Sequence, residues 1–237
     1  MQAPAHQKKR RSALENLAML PCVFDLRDVQ MLCNLEEGSA RNTVMRWSAM
    51  EDNRGNPLLV KPAGPRAGIY YNLQRDREGP RNRLHEVVQK VDKGAVVIGA
   101  SALHWADWTT QLPRVLEVAS TQRSFPRIEG VTFVHRPLSW YVQTKPFVKA
   151  GLCGMNTLDP AMALADAWLN RGCWRPDPDD IDLEWDDHAV GRISTALAAF
   201  GMSEQEREAK LREILALSFG GGRTYQPDLF EPSGPSR

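Results

Sequence analysis

Residues 24–73 constrain the fold more than any other part of this chain, because their pattern predicts two short helices separated by a tight turn. Asp25 is a good N-cap for the first helix, which carries apolar residues at helical spacing on one face. Gly38 gives the backbone freedom that a tight turn requires, and Ser39 is placed to open the second helix. We therefore expect a pair of adjacent helices in this part of the chain.

The second predicted helix has one apolar face and one polar face. Its expected buried anchors are Val44 and Trp47, which lie three residues apart. Arginine and asparagine side chains can bind in a bidentate manner to the edges of guanine and adenine. The face opposite the anchors presents Arg41, Asn42, Met45 and Arg46.

A hairpin is predicted directly after the two helices. Residues 58–61 and 69–73 are short apolar runs, and the connection between them is rich in Gly and Pro, which favour turns. Lys61 and Arg66 lie at the tip of this hairpin. Two helices followed by a hairpin form a winged helix-turn-helix, in which one helix enters the major groove and the wing contacts phosphates.

The charged residues of this region suggest how DNA would be contacted. We expect Arg41, Asn42 and Arg46 to contact base edges. Phosphate contacts are expected from the hairpin and from the basic run that precedes the first amphipathic helix. The predicted DNA-binding residues are Arg10, Arg11, Ser39, Arg41, Asn42, Arg46, Lys61 and Arg66.

The distribution of charge agrees with a nucleic-acid partner for the first half of the chain only. Residues 1–93 carry 16 Lys and Arg against 11 Asp and Glu, whereas residues 94–237 carry 14 against 18. A basic part beside an acidic part suits a chain in which the basic part faces nucleic acid.

The whole chain is expected to be an α+β protein with two domains. Residues 8–73 form the predicted winged helix-turn-helix, and the polar residues 74–83 form a linker. Residues 84–219 are predicted as a mixed α/β domain that ends in helices, followed by a mobile tail at 220–237. Within this domain the patterns predict strands at Ala95–Ala100, Arg114–Ala119 and Val131–His135, a helix at Ser101–Trp108 and another starting at Asp159-Pro160.

The sequence contains no pattern that indicates a metal site, a disulfide framework or a membrane span. The four cysteines form no CxxC motif and no Cys/His cluster, so we expect neither a zinc site nor a disulfide framework, and no cofactor. No apolar run approaches the ~20 residues that a membrane span needs, and the basic N-terminus lacks the apolar stretch of a signal peptide. We therefore expect a cytoplasmic protein that does not bind a membrane.

Catalysis in the second half is the sharpest alternative to regulation. Gly99-Ala100-Ser101 follows a predicted strand, as in the Gly-Ser element of nucleotidyltransferases. That chemistry needs two or three carboxylates on nearby strands, but the next predicted strand offers only Glu117. The chain also lacks the glycine-rich loops that bind phosphates, and its acidic run Asp177–Asp187 is interpreted as a solvated loop. We therefore expect that the protein is not an enzyme.

The chain resembles the AbiEi family of antitoxins from bacterial type IV toxin–antitoxin systems. The resemblance rests on GIYYNL (68–73), on VVIGASALHWADWTTQLPRVLEVAST (96–121) and on TLDPAMALADAW (157–168), and covers roughly residues 10–215. Ala106-Asp107-Trp108 departs from the Gly-Leu step of that family, and Asp159-Pro160-Ala161-Met162 replaces its basic Pro-Glu-Arg.

This resemblance implies a transcriptional repressor that regulates its own operon. Its winged domain would bind double-stranded DNA at inverted repeats in its own operator, and its second domain would be needed to counteract a toxin of the nucleotidyltransferase type. Two alternatives stay open: a protein-interaction module whose winged domain does not bind DNA, and a nucleotidyltransferase-like enzyme.

Overall fold

The computed structural model describes residues 11–60, 68–169, 181 and 187–218. Contacts divide the chain into two units, Met1–Ala95 with Gln122–Phe133, and Val96–Thr121 with Val134–Arg237. Helices and two sheets together make the protein α+β, as the sequence predicts. The predicted tail, 220–237, and most of the acidic run lie outside the described residues.

Unit 1 is built around a three-stranded antiparallel sheet with the order β1-β3-β2. The strands β2 and β3 form the predicted hairpin, with Leu59 opposite Asn72. A strand that the sequence reasoning missed, β1, pairs with the other edge of β3. The elements are α1 (Ala13–Met19), β1 (Val23–Asp25), α2 (Leu26–Cys33), α3 (Glu37–Ser48), β2 (Leu59–Val60), β3 (Ile69–Asn72), α4 (Gly79–Asn82) and α5 (Leu84–Val91).

Each face of this sheet is covered by its own apolar core, because successive side chains of a strand point to opposite faces. On one face, Phe24 and Tyr70 stack at 5.5 Å between ring centroids and join the core of α1, α2 and α3. On the other face, Ile69 and Tyr71 pack against Val87 of α5. All four residues of β3 are therefore buried.

The start of α2 follows the prediction, whereas the start of α3 does not. Asp25 caps α2 by accepting hydrogen bonds from the N–H groups of the second and third helical residues. Helix α3 begins at Glu37, two residues before Ser39, so the prediction that Ser39 opens it was wrong. The left-handed position after α2 is taken by Asn34 (φ 51°), a residue type that tolerates this conformation, and Gly38 lies inside the helix.

Unit 2 contains most of a five-stranded sheet with the order β6-β5-β4-β8-β7. Strand β4 pairs antiparallel with β5 and parallel with β8, and α8, apolar on nearly every side, packs against α6 and α9. The elements are β4 (Val96–Val97), α6 (Gly99–Trp105), β5 (Leu116–Ser120), β6 (Val131–His135), α7 (Leu138–Thr144), β7 (Val148–Ala150), β8 (Asn156–Leu158), α8 (Pro160–Leu169), α9 (Asp187–Ala199) and α10 (Glu204–Ser218).

The predicted strand 95–100 is interrupted after two residues of β4. Gly99 has a φ of +56°, a conformation open to glycine, and the chain turns there into α6. A Cβ atom at Gly99 would lie 2.1 Å from Oε2 of Glu117, so a steric clash also excludes any residue with a side chain at this position. The predicted helix 101–108 therefore starts two residues earlier and ends at Trp105.

The residues predicted as a linker, 74–83, contain the helical turn α4 and lie inside unit 1. An ion pair between Arg83 and Asp76 links the two ends of this segment. The following helix α5 contributes Val87 to the core behind the sheet, so the division between units falls after Ala95. Helix α5, predicted as the start of the second domain, thus belongs to unit 1.

Asn72, at the end of β3, fastens α1 to the sheet. Its side chain is fully buried, and Nδ2 donates a 2.7 Å hydrogen bond to the carbonyl oxygen of Leu17. The carbonyl oxygens of Leu20 and Pro21 lie 3.4 Å from the same nitrogen. Carbonyl groups at a helix end have few intrahelical donors, and this amide adds a side-chain donor to the N–H of Leu20, which donates to Asn16 and Leu17.

Replacing Asn72 with Ala is therefore expected to destabilise unit 1 by about 0.5–1.5 kcal/mol, because a buried hydrogen bond is lost while the N–H of Leu20 still donates to the carbonyl of Leu17. Urea unfolding followed by circular dichroism measures this change. Asn53→Ala, at an exposed position, serves as the control and should leave the midpoint unchanged. Equal midpoints for Asn72→Ala and the wild type would show that this hydrogen bond contributes nothing.

Candidate nucleic-acid interface

The packing of α3 decides which of its side chains reach solvent. Its buried residues recur at helical spacing and contact the core beneath the sheet, so the opposite face is turned outward. The buried set is Ala40, Val44 and Trp47. The exposed set includes Ser39, Arg41, Asn42, Met45 and Arg46.

Arg41 is held by an acidic neighbour one helical turn away. Its Nη2 atom lies 2.9 Å from Oε1 of Glu37, and both side chains are more than half exposed, at 62% and 68%. Exposed ion pairs between residues four apart on a helix contribute about 0.3–0.5 kcal/mol to stability. Glu37 therefore offsets part of the positive charge of Arg41 but does not prevent it from turning to another partner.

Arg46 has a neutral partner instead. Its Nη2 atom donates a 3.3 Å hydrogen bond to Oγ1 of Thr43, and it forms no ion pair with any residue that the structure describes. Arg46 therefore presents its full charge at the outer face of α3. Asn42 lies four residues before it on the same face, also exposed.

The other predicted contacts are only partly described. Arg11 is exposed directly before α1, whose N-cap Ser12 forms a capping box with Glu15. The positions of Arg10, Lys61 and Arg66 lie outside the described residues. Ser39, Arg41, Asn42 and Arg46 are thus all exposed residues of α3.

The loop from α3 to the hairpin is fixed by Asp52, a residue that the sequence reasoning did not single out. Its carboxylate accepts hydrogen bonds from the backbone and side-chain amides of Asn56, from the N–H of Arg54 and from the guanidinium of Arg77. These donors, Asn56 first, hold the pKa of Asp52 well below its usual range. The Asp-x-x-Gly pattern before the first strand of the hairpin, β2, was the available signal, because aspartate commonly caps such turns.

In unit 2, the residues considered as a nucleotidyltransferase element pack against each other. Glu117 is buried on β5, and its Oε2 atom accepts a 3.0 Å hydrogen bond from the N–H of Ala100. The N–H of Glu117 in turn donates to Oγ of Ser101. These contacts attach the start of α6 to β5. Across the described residues, no group of three His, Cys, Asp or Glu side chains is placed to hold a metal ion.

A cluster of charged residues in unit 2 is centred on Asp159, the residue directly before α8. Its carboxylate accepts hydrogen bonds from Lys149 at 2.9 Å, from Arg192 of α9 at 3.0 Å and from the N–H of Ala161. The guanidinium of Arg192 also lies 5.0 Å from the ring centre of Trp108. Open cavities of about 420 and 390 Å³ flank this cluster. Asp159 therefore joins β7, α8 and α9.

Comparisons with known proteins give no family. No family model matches the chain, and no curated protein matches it. Among solved structures, the chain is similar to the crystal structure of the RV2827C protein from Mycobacterium tuberculosis, with 16% identity, a TM-score of 0.42, and coverage of 90% of this chain and 80% of that one. A similarity at this level carries no argument about function.

Among the described residues, no helix is both long and apolar enough to cross a membrane.

The Asp159 cluster yields a prediction about pH. Burial alone would raise the pKa of Asp159, but Lys149 and Arg192 outweigh it and lower the pKa below its ordinary value. A carboxylate with a lowered pKa stabilises the fold above its unfolded pKa, and this stabilisation disappears as the pH falls through the folded pKa. We expect Asp159→Asn to cost about 1.5–3 kcal/mol at pH 7, as for a lost hydrogen bond to a charged group.

The difference between Asp159→Asn and the wild type should shrink as the pH falls from about 4, where the aspartate of the unfolded chain becomes protonated, down through the lower pKa of the folded protein. Urea unfolding followed by tryptophan fluorescence at several pH values measures it. Asp107→Asn is the matched control, because Asp107 is exposed and its φ of 58° suits asparagine equally well. A constant difference at all pH values would contradict a role for the charge.

Proposed function

We propose that unit 1 is a winged helix-turn-helix and that the chain is a DNA-binding transcriptional repressor of the antitoxin type, which regulates its own operon. The observation that carries the proposal is the outer face of α3. Asn42 and Arg46 are exposed there one turn apart, on the side opposite the buried Val44 and Trp47.

The dimensions of α3 suit a recognition helix. Its 12 residues make a helix about 18 Å long, at 1.5 Å per residue. A helix with its side chains is ≈10–12 Å wide, close to the ≈12 Å width of the major groove of B-DNA. Asn42 offers a bidentate amide for adenine, and the guanidinium of Arg46 offers the same for guanine.

Elements on both sides of α3 would contact the phosphates. The β2–β3 hairpin would be the wing, with Lys61 and Arg66 at its tip, and Arg10 and Arg11 precede α1. Such contacts are independent of sequence, and they make affinity depend strongly on salt, because counterions are released from the DNA. The net positive charge of residues 1–93 supports this assignment.

The regulatory role draws on the resemblance to AbiEi antitoxins. The operator would contain inverted repeats, and unit 2 would be required to counteract a toxin of the nucleotidyltransferase type. In this proposal unit 2 is not an enzyme: Glu117, which a nucleotidyltransferase would use to hold Mg²⁺, is buried and bonded to the start of α6. Counteraction of the toxin does not require a stable complex between the two proteins.

One observation favours a second candidate, a protein-interaction module. Glu36 and Glu37 are exposed at the start of α3, and Glu37 is paired with Arg41. Carboxylates at this end of a recognition helix would repel phosphates, whereas they could pair with basic residues of a partner protein.

Equilibrium binding of the full chain to the DNA upstream of its own gene separates the two candidates. For a DNA-binding protein, log K should fall linearly with log salt between about 50 and 200 mM, with a slope of about −0.9 per phosphate contacted. We expect Arg46→Ala to weaken operator binding by about 1–3 kcal/mol and to relax sequence preference. Arg212→Ala, which removes an exposed helical arginine of α10, is the control and should bind normally.

Glu37→Gln should act in the opposite direction. It removes a negative charge from the face of α3 and frees Arg41, so affinity for operator and for unrelated duplexes should rise together. DNA binding that is absent, or insensitive to salt, would favour the protein-interaction module. Magnesium-dependent nucleotide transfer that is lost in Glu117→Ala would favour the enzyme instead.

A further inference from the structure

Met45 is the apolar member of the exposed face of α3. Met45 is 64% exposed, although its neighbours one turn earlier on the helix surface, Arg41 and Asn42, are polar. A single exposed apolar side chain is common on protein surfaces and does not by itself indicate a site. Met45 is of interest because of its position, three residues after Asn42 and one residue before Arg46, which are both candidate base contacts.

We infer that Met45 recognises the 5-methyl group of a thymine in the major groove, beside an adenine that Asn42 contacts. This inference rests on the proposed function and deepens it by naming part of the sequence that is read. The thymine methyl is the apolar group that the base pairs present in the major groove, and apolar side chains recognise it by direct contact.

The spacing on the helix limits which base pairs are involved. Side chains three or four residues apart on a helix have Cβ atoms about 5–6 Å apart. Base pairs stack about 3.4 Å apart along the duplex. Asn42 and Met45 therefore reach base pairs that are adjacent or separated by one step. The expected binding site contains an adenine and a thymine at that separation in each half-site.

The flexibility of methionine suits this contact. Its unbranched side chain has three rotatable bonds and adapts its apolar end to the surface that it meets. Asn42 and Arg46 supply directional hydrogen bonds, whereas Met45 supplies a contact that excludes water from the methyl group. The contact distinguishes thymine from cytosine and from uracil, which lack this methyl group.

The test starts from the full chain and a library of random DNA duplexes, from which bound sequences are selected. Each thymine of the selected site is then replaced in turn by uracil, which removes the 5-methyl group and keeps the base pair. At one thymine per half-site, the wild type should lose affinity about fourfold, from the free energy of burying one methyl-sized group. Met45→Ala should lose none at that position.

Two further variants separate a base contact from a general effect. Met31→Ala is the matched control, because Met31 of α2 is 83% exposed and should leave the uracil effect intact. Met45→Leu keeps an apolar end and should retain part of the effect. Thermal melting should be unchanged in Met45→Ala, because the side chain contributes little to the core.

A wild type that is insensitive to every uracil replacement would overturn the inference and leave the proposed function standing. Uracil sensitivity that persists undiminished in Met45→Ala would do the same. If the library yields no selective binding at all, the proposed function fails, and the inference fails with it.

Discussion

The burial of β3 between two apolar cores is the constraint on which unit 1 depends. Ile69 and Tyr71 face α5, whereas Tyr70 stacks on Phe24 above the three helices. Asn72 adds a hydrogen bond to the end of α1. The sheet thus forms a fixed base for α3, and α3 has little freedom to turn its polar face inward, because Val44 and Trp47 are inserted into the core beneath the sheet.

The charges on α3 are balanced rather than strongly basic. Glu37 offsets Arg41, while Arg46 donates a hydrogen bond to the neutral hydroxyl of Thr43 and pairs with no carboxylate of the described residues. A surface of this kind would bind DNA weakly through charge alone, so selectivity would depend on contacts with base edges. In the proposed repressor, these base contacts would have to distinguish one operator from the rest of a genome. In unit 2, by contrast with the exposed charges of α3, the buried carboxylate of Asp159 has a structural role: it links β7, α8 and α9.

Much of unit 1 could be predicted from the sequence because its signals are local. The Asp25 capping box lies within four residues, and the buried face of α3 follows from helical spacing. The start of α3 could not be placed, because Ser39 is as good an N-cap by type as any residue, whereas the observed N-cap, Glu36, is not a preferred type and makes no side-chain capping bond. Strand β1 was missed for a related reason: three residues between two helices carry no period of their own.

Contacts between distant residues explain the remaining differences. β4 ends early because the chain turns at Gly99, which has a positive φ, into α6, and Glu117 from another strand accepts a hydrogen bond from Ala100 there and leaves no room for a Cβ at Gly99. Helix α5 belongs to unit 1 because Val87 packs against the sheet residues Ile69 and Tyr71. The polar segment that precedes α5 in the sequence gives no sign of this contact. The Glu37–Arg41 pair, by contrast, could have been inferred from its i, i+4 spacing.

Site-specific photo-crosslinking tests most directly whether α3 is the surface that meets DNA. A photoreactive residue is placed at Asn42 in one variant and at Gln143, an exposed position of α7, in another. Each full chain is irradiated with a duplex that carries the DNA upstream of its gene. We expect crosslinking from position 42 that unlabelled upstream DNA competes away, and none from position 143. Crosslinking that is absent at position 42, or equal at both positions, would contradict it.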